Sequence, residues 1–257
     1  MKAIILAAGQ GKRLLPLTSD RPKCLVELCG RSLLEHQIRT LAEAGVDEVV
    51  VATGFRFDAI ERTLAKLEGP LPRIRTVFNP FYAVSDNLAT CWMLREEMCG
   101  PLLVVNGDTL FETGLAQSVL ASPDDWPVRV TVSRKREYDD DDMKVVIEGE
   151  RVVAIGKQHF SRIDAESIGL LRFSEEGALR FCAMLDSMMR EADGKSRWYL
   201  AAVDRLAQQG CVAHTDISGL RWCEVDTPKD LAHAPGLLGL AEMPSAGQHR
   251  VQGAVRA

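Results

Sequence analysis

A glycine-rich turn that carries two cations directly follows the first apolar run of the chain. The run from Ala3 to Ala8 leads into Gly9-Gln10-Gly11, and Lys12 and Arg13 come next. Glycine lets the backbone approach a ligand closely, and a tight turn of N–H groups binds anions. This pattern predicts a phosphate-binding loop. The residues expected to line the phosphates are Leu6, Ala7, Ala8, Gly9 and Gly11.

Two common phosphate-loop patterns do not fit this turn. A dinucleotide-binding loop needs G-x-G-x-x-G, but Leu14 occupies the position of the third glycine. A Walker A loop needs G-x-x-x-x-G-K-[ST], which the sequence lacks. A short G-x-G turn after a strand is also compatible with a purely structural turn, so the surrounding residues must decide between the two interpretations.

Two aspartates stand where apolar segments end. Asp108 follows Val104-Val105-Asn106-Gly107, and Asp226 follows the segment Trp222 to Val225. Ligands of α/β sheets collect at the carboxyl ends of strands, and carboxylates there suit a magnesium ion that bridges nucleotide phosphates. Each aspartate taken alone is more typical of a helix cap or a loop acid than of a metal ligand.

The run L-A-A-G-x-G-x-R-L-x-P-L-T-x-x-x-P-K, residues 6–23, resembles the N-terminal signature of the sugar-nucleotide pyrophosphorylase, or nucleotidyltransferase, family. The resemblance implies that Arg13 binds the leaving phosphates of a nucleoside triphosphate and that Lys23 neutralises charge on the α-phosphate. It also implies that Asp108 and Asp226 hold the catalytic Mg²⁺. The physics agrees, because the attacking and leaving groups are both anions that cations must shield from each other. The alternative for Arg13 and Lys23 is a role as solvated surface charges.

Two further segments are similar to the cytidylyltransferases that make CDP-alcohols. They are residues 79–90 and the closing run W-x-E-V-D-T-P-x-D-L, residues 222–231. The resemblance implies CTP as the nucleotide, with Asn87 and Thr90 in contact with it. A helix N-cap is the alternative for Asn87. Two other functions stay open: transfer from UTP, dTTP or GTP to a sugar 1-phosphate, and a non-catalytic nucleotide-binding regulator.

The acceptor is expected to be a small phosphorylated or phosphonate compound. Lys157 matches a family position where a lysine reaches the acceptor phosphate, although a surface lysine is the alternative. The run from Tyr138 to Asp142 contains one aromatic residue and four acids. It is either a solvated acidic loop or a wall for a cationic acceptor group, with Tyr138 and Asp139 in contact with that group.

Strand-like and helix-like segments alternate in the first half of the chain, which indicates parallel strands with crossover helices. Strand-like segments then follow closely, which indicates an antiparallel or mixed extension. We predict a three-layer α/β/α sandwich with a mixed, mostly parallel sheet, as in nucleotide-diphospho-sugar transferases, over residues 1–234. The tail 235–257 is rich in Gly, Ala, Pro and Ser and is expected to be poorly ordered. The predicted strands are 3–8, 48–52, 74–78, 102–106, 128–133, 144–147, 152–155 and 167–173, and the predicted helices are 32–44, 57–67, 87–97, 175–191, 199–209 and one that opens at 227–228.

Composition narrows the classes of partner. The net charge of -5 argues against a nucleic-acid surface, which needs a basic face. The sequence has no run of about 20 apolar residues such as a membrane span requires. Seven cysteines without a Cys-x-x-Cys pair favour reduced thiols and a cytoplasmic location over a disulfide framework. The oligomeric state stays open, and a homodimer is compatible with the sequence.

Overall fold

The computed structural model describes residues 1–158 and 160–240, and a central nine-stranded sheet organises them. The strands in chain order are β1 (Lys2–Leu6), β2 (Glu27–Leu28), β3 (Arg31–Ser32), β4 (Glu48–Thr53), β5 (Arg73–Phe78), β6 (Leu102–Asn106), β7 (Thr109–Phe111), β8 (Val128–Ser133), β9 (Lys144–Glu148), β10 (Arg151–Gly156), β11 (Ala165–Phe173), β12 (Val212–Asp216) and β13 (Trp222–Glu224). The α-helices are α1 (Leu33–Glu43), α2 (Phe57–Leu64), α3 (Asn87–Met93), α4 (Thr113–Leu120), α5 (Glu175–Met188), α6 (Leu200–Gln208) and α7 (Pro228–Leu238). None of the helices in this part of the chain combines the length and apolar character needed to cross a membrane.

The strand order is β5-β4-β1-β6-β11-β8-β12-β10-β9, and β9 also pairs with β11. The pairings among β5, β4, β1 and β6 are parallel, as the alternation of strands and helices predicts. In the second half only β8 and β12 pair in parallel, and the other pairings are antiparallel. The mixed α/β sandwich is therefore confirmed, with parallel pairing confined mainly to its first half. The reason is that β8 to β11 follow one another without crossover helices, which parallel pairing would require.

Helices cover both faces of the sheet. Ile4 in β1 packs into a cluster with Phe181 of α5 and Val203 of α6, whereas its neighbour Ile5 packs into a second cluster with Ile38 of α1. Successive residues of a strand point to opposite faces, so an apolar run without alternation marks a strand buried on both sides. The continuous apolar β1 thus forms the middle layer of three.

A third apolar cluster anchors the C-terminal helix beside the glycine-rich turn. Thr227 caps α7 in a reciprocal pair with Asp230, and Leu238 packs near Leu14 in this cluster. This packing keeps the chain helical past Pro235, so the predicted ordered domain extends beyond residue 234. The remainder of the predicted tail, residues 241–257, lies outside the described residues.

Two helical glycines predict opposite effects of the same substitution. An added Cβ at Gly177 in α5 would lie 1.7 Å from the carbonyl oxygen of Pro127, whereas at Gly114 in α4 it would meet nothing within 4 Å. We expect Gly177→Ala to lower the free energy of unfolding by about 1–3 kcal/mol through overpacking. Gly114→Ala should raise it by about 0.5–1 kcal/mol, because alanine restricts the unfolded chain. Urea unfolding of both variants measures the difference, and a loss of stability in both would contradict the assignment of open space at Gly114.

Candidate active site

A short antiparallel ribbon brings the two predicted metal-binding aspartates together. Thr109 of β7 lies opposite Glu224 of β13, and the Val225 N–H donates to the Asp108 carbonyl oxygen at 3.0 Å. Asp108 immediately precedes β7, and Asp226 stands two residues after β13. The ribbon therefore places both carboxylates at the carboxyl end of the parallel strands, where β1 and β6 also end.

The ammonium group of Lys23 lies between these carboxylates. Its Nζ is 2.7 Å from Asp108 Oδ2 and donates a second hydrogen bond to Asp226 Oδ1. The side chain is only 13% exposed. Burial opposes the charge on Lys23, but the carboxylates of Asp108 and Asp226 outweigh it and raise the pKa of the lysine above its ordinary value. Lys23 is therefore a fixed positive charge at neutral pH.

The glycine-rich turn packs directly on this lysine. Gly11 has a φ of 77°, and an added Cβ there would lie 2.6 Å from Lys23 Cβ. The hydroxyl of Thr18 donates to the Gly11 carbonyl at 2.8 Å and so holds the turn. Ala7 and Ala8 are buried, whereas Gly9 is exposed, and an added Cβ there would meet nothing within 4 Å. Only glycine satisfies both the conformation and the close approach at position 11.

Arg13 completes the charged cluster at the mouth of the site. Its Nη2 lies 2.9 Å from Asp226 Oδ2, and its side chain is 56% exposed. Asp226 thus contacts both Arg13 and Lys23, so the two predicted catalytic cations share one carboxylate. An exposed guanidinium and a buried ammonium on the same loop suit a polyanion that reaches in from solvent.

A cavity of about 230 Å³ opens beside this cluster. Five of the residues predicted from sequence line it: Arg13, Asn87, Asp108, Lys157 and Asp226. Lys157 follows β10 directly, and its Nζ lies 4.6 Å from the centre of the Trp198 ring and 3.3 Å from Asp141 Oδ1. The strand-end lysine therefore faces the cavity with an aromatic ring beneath it.

Asn87 and Thr90 have defined structural contacts. The N-cap of α3 is Asp86, and the Asn87 Oδ1 accepts a hydrogen bond from the Tyr199 N–H at 2.7 Å, at the start of α6. Thr90 is 5% exposed, and its hydroxyl accepts from the amide of Asn79 at 3.0 Å. Asn87 lines the cavity and Thr90 does not. Contact of either side chain with a nucleotide stays a prediction.

The acidic run contributes to the cavity through its last residues. Asp141 and Asp142 line the cavity, whereas Tyr138 and Asp139, the two predicted acceptor contacts, do not. The Tyr138 hydroxyl accepts from the Lys135 N–H at 3.3 Å, and Asp139 is exposed. The run forms a turn in which the Asp139 N–H donates a hydrogen bond to the Asp142 carboxylate.

Sequence reasoning missed two glutamates that line the same cavity, the buried Glu166 and the half-buried Glu224. Burial raises the pKa of Glu224 to about 8, with added repulsion from Asp108 and Asp226. Burial also raises the pKa of Glu166 to about 7. Glu224 lies two residues before Asp226 in the W-x-E-V-D motif, and both residues line the cavity. This spacing could have indicated Glu224 as a site residue. Glu166 is the second residue of a strand whose nine residues are all buried, and no local pattern singles it out.

The two aspartates suit a hard divalent cation. Asp108 Oδ1 is buried and has no hydrogen-bond partner among the described residues, so one carboxylate oxygen is free to bind a ligand. Mg²⁺ typically takes one or two carboxylates and completes its shell with substrate phosphates and water. In residues 1–158 and 160–240, no group of three or more His, Cys, Asp or Glu side chains is arranged around one metal position. These donors therefore fit a metal site in which Asp108 and Asp226 supply two ligands and the nucleotide phosphates supply others.

Fold and site together define an α/β protein with a cluster of cations and carboxylates at the end of its parallel strands. Residues 2–141 match the family model described as nucleotidyl transferase, and the chain belongs to that family.

Two relatives and one solved structure extend the comparison. The chain is 32% identical to the CMP-5'-(3-aminopropyl)phosphonate synthase of Streptomyces rubellomurinus over 91% of its own length, but it spans only 38% of that relative. It is 25% identical to the CTP:phosphoglutamine cytidylyltransferase of Campylobacter jejuni, over 90% of this chain and 98% of the relative. The inositol-1-phosphate CTP transferase of T. maritima superimposes with a TM-score of 0.77 at 23% identity, over 93% of this chain and 94% of that one. The last likeness establishes the fold.

The raised pKa of Glu166 predicts a pH-dependent contribution to stability. In the unfolded chain this glutamate ionises near 4.5, and in the folded chain near 7, so the folded state binds more protons between these values. The contribution of Glu166 is therefore present below about pH 4.5 and is lost as the pH rises through about 7. Glu166→Gln should remove this loss, so the variant should gain stability relative to the parent between about pH 5 and pH 8.

Urea unfolding at both pH values measures this effect. Glu137→Gln, an exposed change of the same kind on the neighbouring loop, serves as the control and should follow the parent at both pH values. A difference between Glu166→Gln and the parent that does not change with pH would show that Glu166 titrates normally.

Proposed function

We propose that the chain transfers CMP from CTP to a small phosphate monoester or phosphonate and releases pyrophosphate. The observation that carries the proposal is the Lys23 ammonium, held between Asp108 and Asp226 beside the glycine-rich turn and Arg13. The names of two relatives, a CMP-aminopropylphosphonate synthase and a CTP:phosphoglutamine cytidylyltransferase, favour CTP as the nucleotide.

Each cation of the site would neutralise a different part of the triphosphate. The backbone of the turn and the exposed Arg13 would bind the β- and γ-phosphates, which leave as pyrophosphate. The buried Lys23 would contact the α-phosphate, where charge builds up as the bonds change. Because this ammonium is fixed by two carboxylates before the nucleotide arrives, little reorganisation is needed during the reaction.

The reaction is an in-line displacement at the α-phosphorus. An ionised oxygen of the acceptor forms a bond to that phosphorus while the bond to the oxygen bridging the α- and β-phosphates breaks. The acceptor oxygen is already deprotonated at neutral pH, so the protein has no proton to remove. Lys157, which lies on the Trp198 ring at the cavity wall, would bind the acceptor phosphate and orient it for attack.

Asp108 and Asp226 would hold a magnesium ion when the nucleotide binds. Such an ion supplies charge neutralisation at the phosphate oxygens. The residues of the chain do the rest: they position the two anions and keep them within reach of each other.

Removal of Lys23 tests the proposed division of roles. We expect Lys23→Ala to lower kcat by roughly 100-fold or more, with a much smaller change in KM for CTP, because charge on the α-phosphate is greatest in the transition state. Lys66→Ala, a change at an exposed turn residue just after α2, is the control and should behave as the parent. Pyrophosphate release measures both. A variant that raised KM alone would place Lys23 in ground-state binding instead.

The aspartates are tested by their dependence on the metal. Asp108→Asn and Asp226→Asn keep the size of the side chain and remove its charge, so each should abolish magnesium-dependent turnover without loss of the folded state. Asp58→Asn, on the surface of α2, is the matched control. Turnover is measured over a magnesium titration with CTP, UTP, dTTP and GTP in competition. Near-normal turnover in either site variant would remove the metal assignment, and a preference for a nucleotide other than CTP would redirect the proposal to sugar 1-phosphates.

A further inference from the structure

Two carboxylates on one wall of the cavity share a single positive charge. The Nζ of Lys135 lies 2.8 Å from Glu166 Oε2 and 2.8 Å from Asp142 Oδ2. Glu166 is 8% exposed, and both acids line the cavity. One ammonium cannot neutralise two ionised carboxylates, so this wall retains an uncompensated negative charge when both acids are ionised. The raised pKa of Glu166 has the same origin, since burial and the nearby Asp142 disfavour its ionised form.

Two buried hydroxyl groups on the same cavity are without a hydrogen bond. Ser167 is 5% exposed and Tyr199 is 1% exposed, and both line the cavity. Neither Ser167 Oγ nor Tyr199 Oη has a partner among the described residues. A buried polar group without a partner is costly, so these atoms indicate a ligand that supplies hydrogen bonds. This observation is independent of the charge on Glu166 and Asp142.

The cations of the cavity lie around a different acid. Asp141 Oδ2 is 3.8 Å from Arg13 Nη1, and its Oδ1 is 3.3 Å from Lys157 Nζ. Lys157 would therefore hold the phosphate or phosphonate group of the acceptor on the side of the cavity where Arg13 binds the nucleotide phosphates. The wall of Glu166 and Asp142 is left for the opposite end of the same small molecule.

We infer that the acceptor carries a primary ammonium group, and that Glu166 is the residue that selects it. The inference rests on the proposed function and specifies the class of acceptor. A primary ammonium supplies the missing positive charge together with three N–H donors for the carboxylates and hydroxyls. A trimethylammonium group supplies the charge without donors, and a neutral hydroxyl supplies one donor without charge. A site built to hydrogen-bond an N–H strongly rejects analogues that lack it, because its own polar groups then stay unpaired.

Three acceptors that differ only in the head group test the inference. They are phosphoethanolamine, phosphocholine and ethylene glycol monophosphate, each supplied with CTP and Mg²⁺ and followed by pyrophosphate release. We expect kcat/KM for phosphoethanolamine to exceed that of either analogue by at least about tenfold. The KM for CTP should be the same with all three.

Two variants connect the preference to its residues. Glu166→Gln should lower kcat/KM for phosphoethanolamine by about tenfold or more and leave the KM for CTP unchanged. Ser167→Ala should lower the preference for phosphoethanolamine over phosphocholine, and it should fold at least as well as the parent because it removes an unpaired buried hydroxyl. Glu137→Gln, exposed on the loop before the acidic run, is the control and should keep the full preference.

The outcomes separate the two proposals. If all three acceptors turn over within about threefold of one another, or if phosphocholine or ethylene glycol monophosphate is preferred, the inference is overturned and the proposed function stands. If Glu166→Gln keeps the preference, Glu166 is not the selecting residue. If no acceptor releases pyrophosphate with any nucleotide, the proposed function itself fails, and the inference fails with it.

Discussion

The arrangement of the site depends on one interaction, the buried ammonium of Lys23 between the carboxylates of Asp108 and Asp226. Buried carboxylates in close proximity repel each other, and a buried ammonium is costly without partners. The charge of Lys23 and those of the two aspartates therefore offset one another's energetic cost. The two-stranded ribbon of β7 and β13 fixes the distance between the aspartates. The same ribbon is held by the cluster that buries Leu14 of the glycine-rich turn, so the turn and the aspartates are supported by one set of apolar contacts.

The cations of the site are paired with acids of the chain itself. Arg13 contacts Asp226, and Lys157 contacts Asp141, so phosphates bound as proposed would exchange one set of anionic partners for another. Such an exchange yields less net binding energy than the number of charges suggests, because the existing pairs must be given up. It also keeps the cations in position. This arrangement favours tight control of geometry over tight binding of the free nucleotide.

The parts of the site that sequence analysis predicted are those encoded by contiguous residues. The glycine-rich turn, Lys23 and the strand-end aspartates all lie in short runs whose residue types indicate phosphate and metal binding. The structure brings together Arg13, Lys23, Asp108 and Asp226. The parallel half of the sheet was likewise predictable, because β1, β4 and β6 are distinct apolar runs and a helix lies between each pair of successive parallel strands. The short strands β2, β3, β7 and β13 were not, since two or three residues carry no periodicity. Tyr138 and Asp139 were predicted to contact the acceptor because of the composition of their run. The direction of a side chain in a loop depends on the geometry of the turn, which composition does not encode.

The acceptor side of the cavity is assembled from residues that only the pairing of the second half brings together. Glu166 is the second residue of β11, Asp142 precedes β9, and Lys135 follows β8, so the shared ion pair requires β11 to lie beside both strands. No local run of sequence contains that information. In the proposed reaction, phosphates would be bound by a turn that is the same for any triphosphate, whereas the acceptor would be selected by single side chains on strands whose backbone pairing does not depend on them. A substitution at Glu166 would therefore change the charge and hydrogen bonding offered to the acceptor, while the strand pairing that supports Arg13 and Lys23 stays in place.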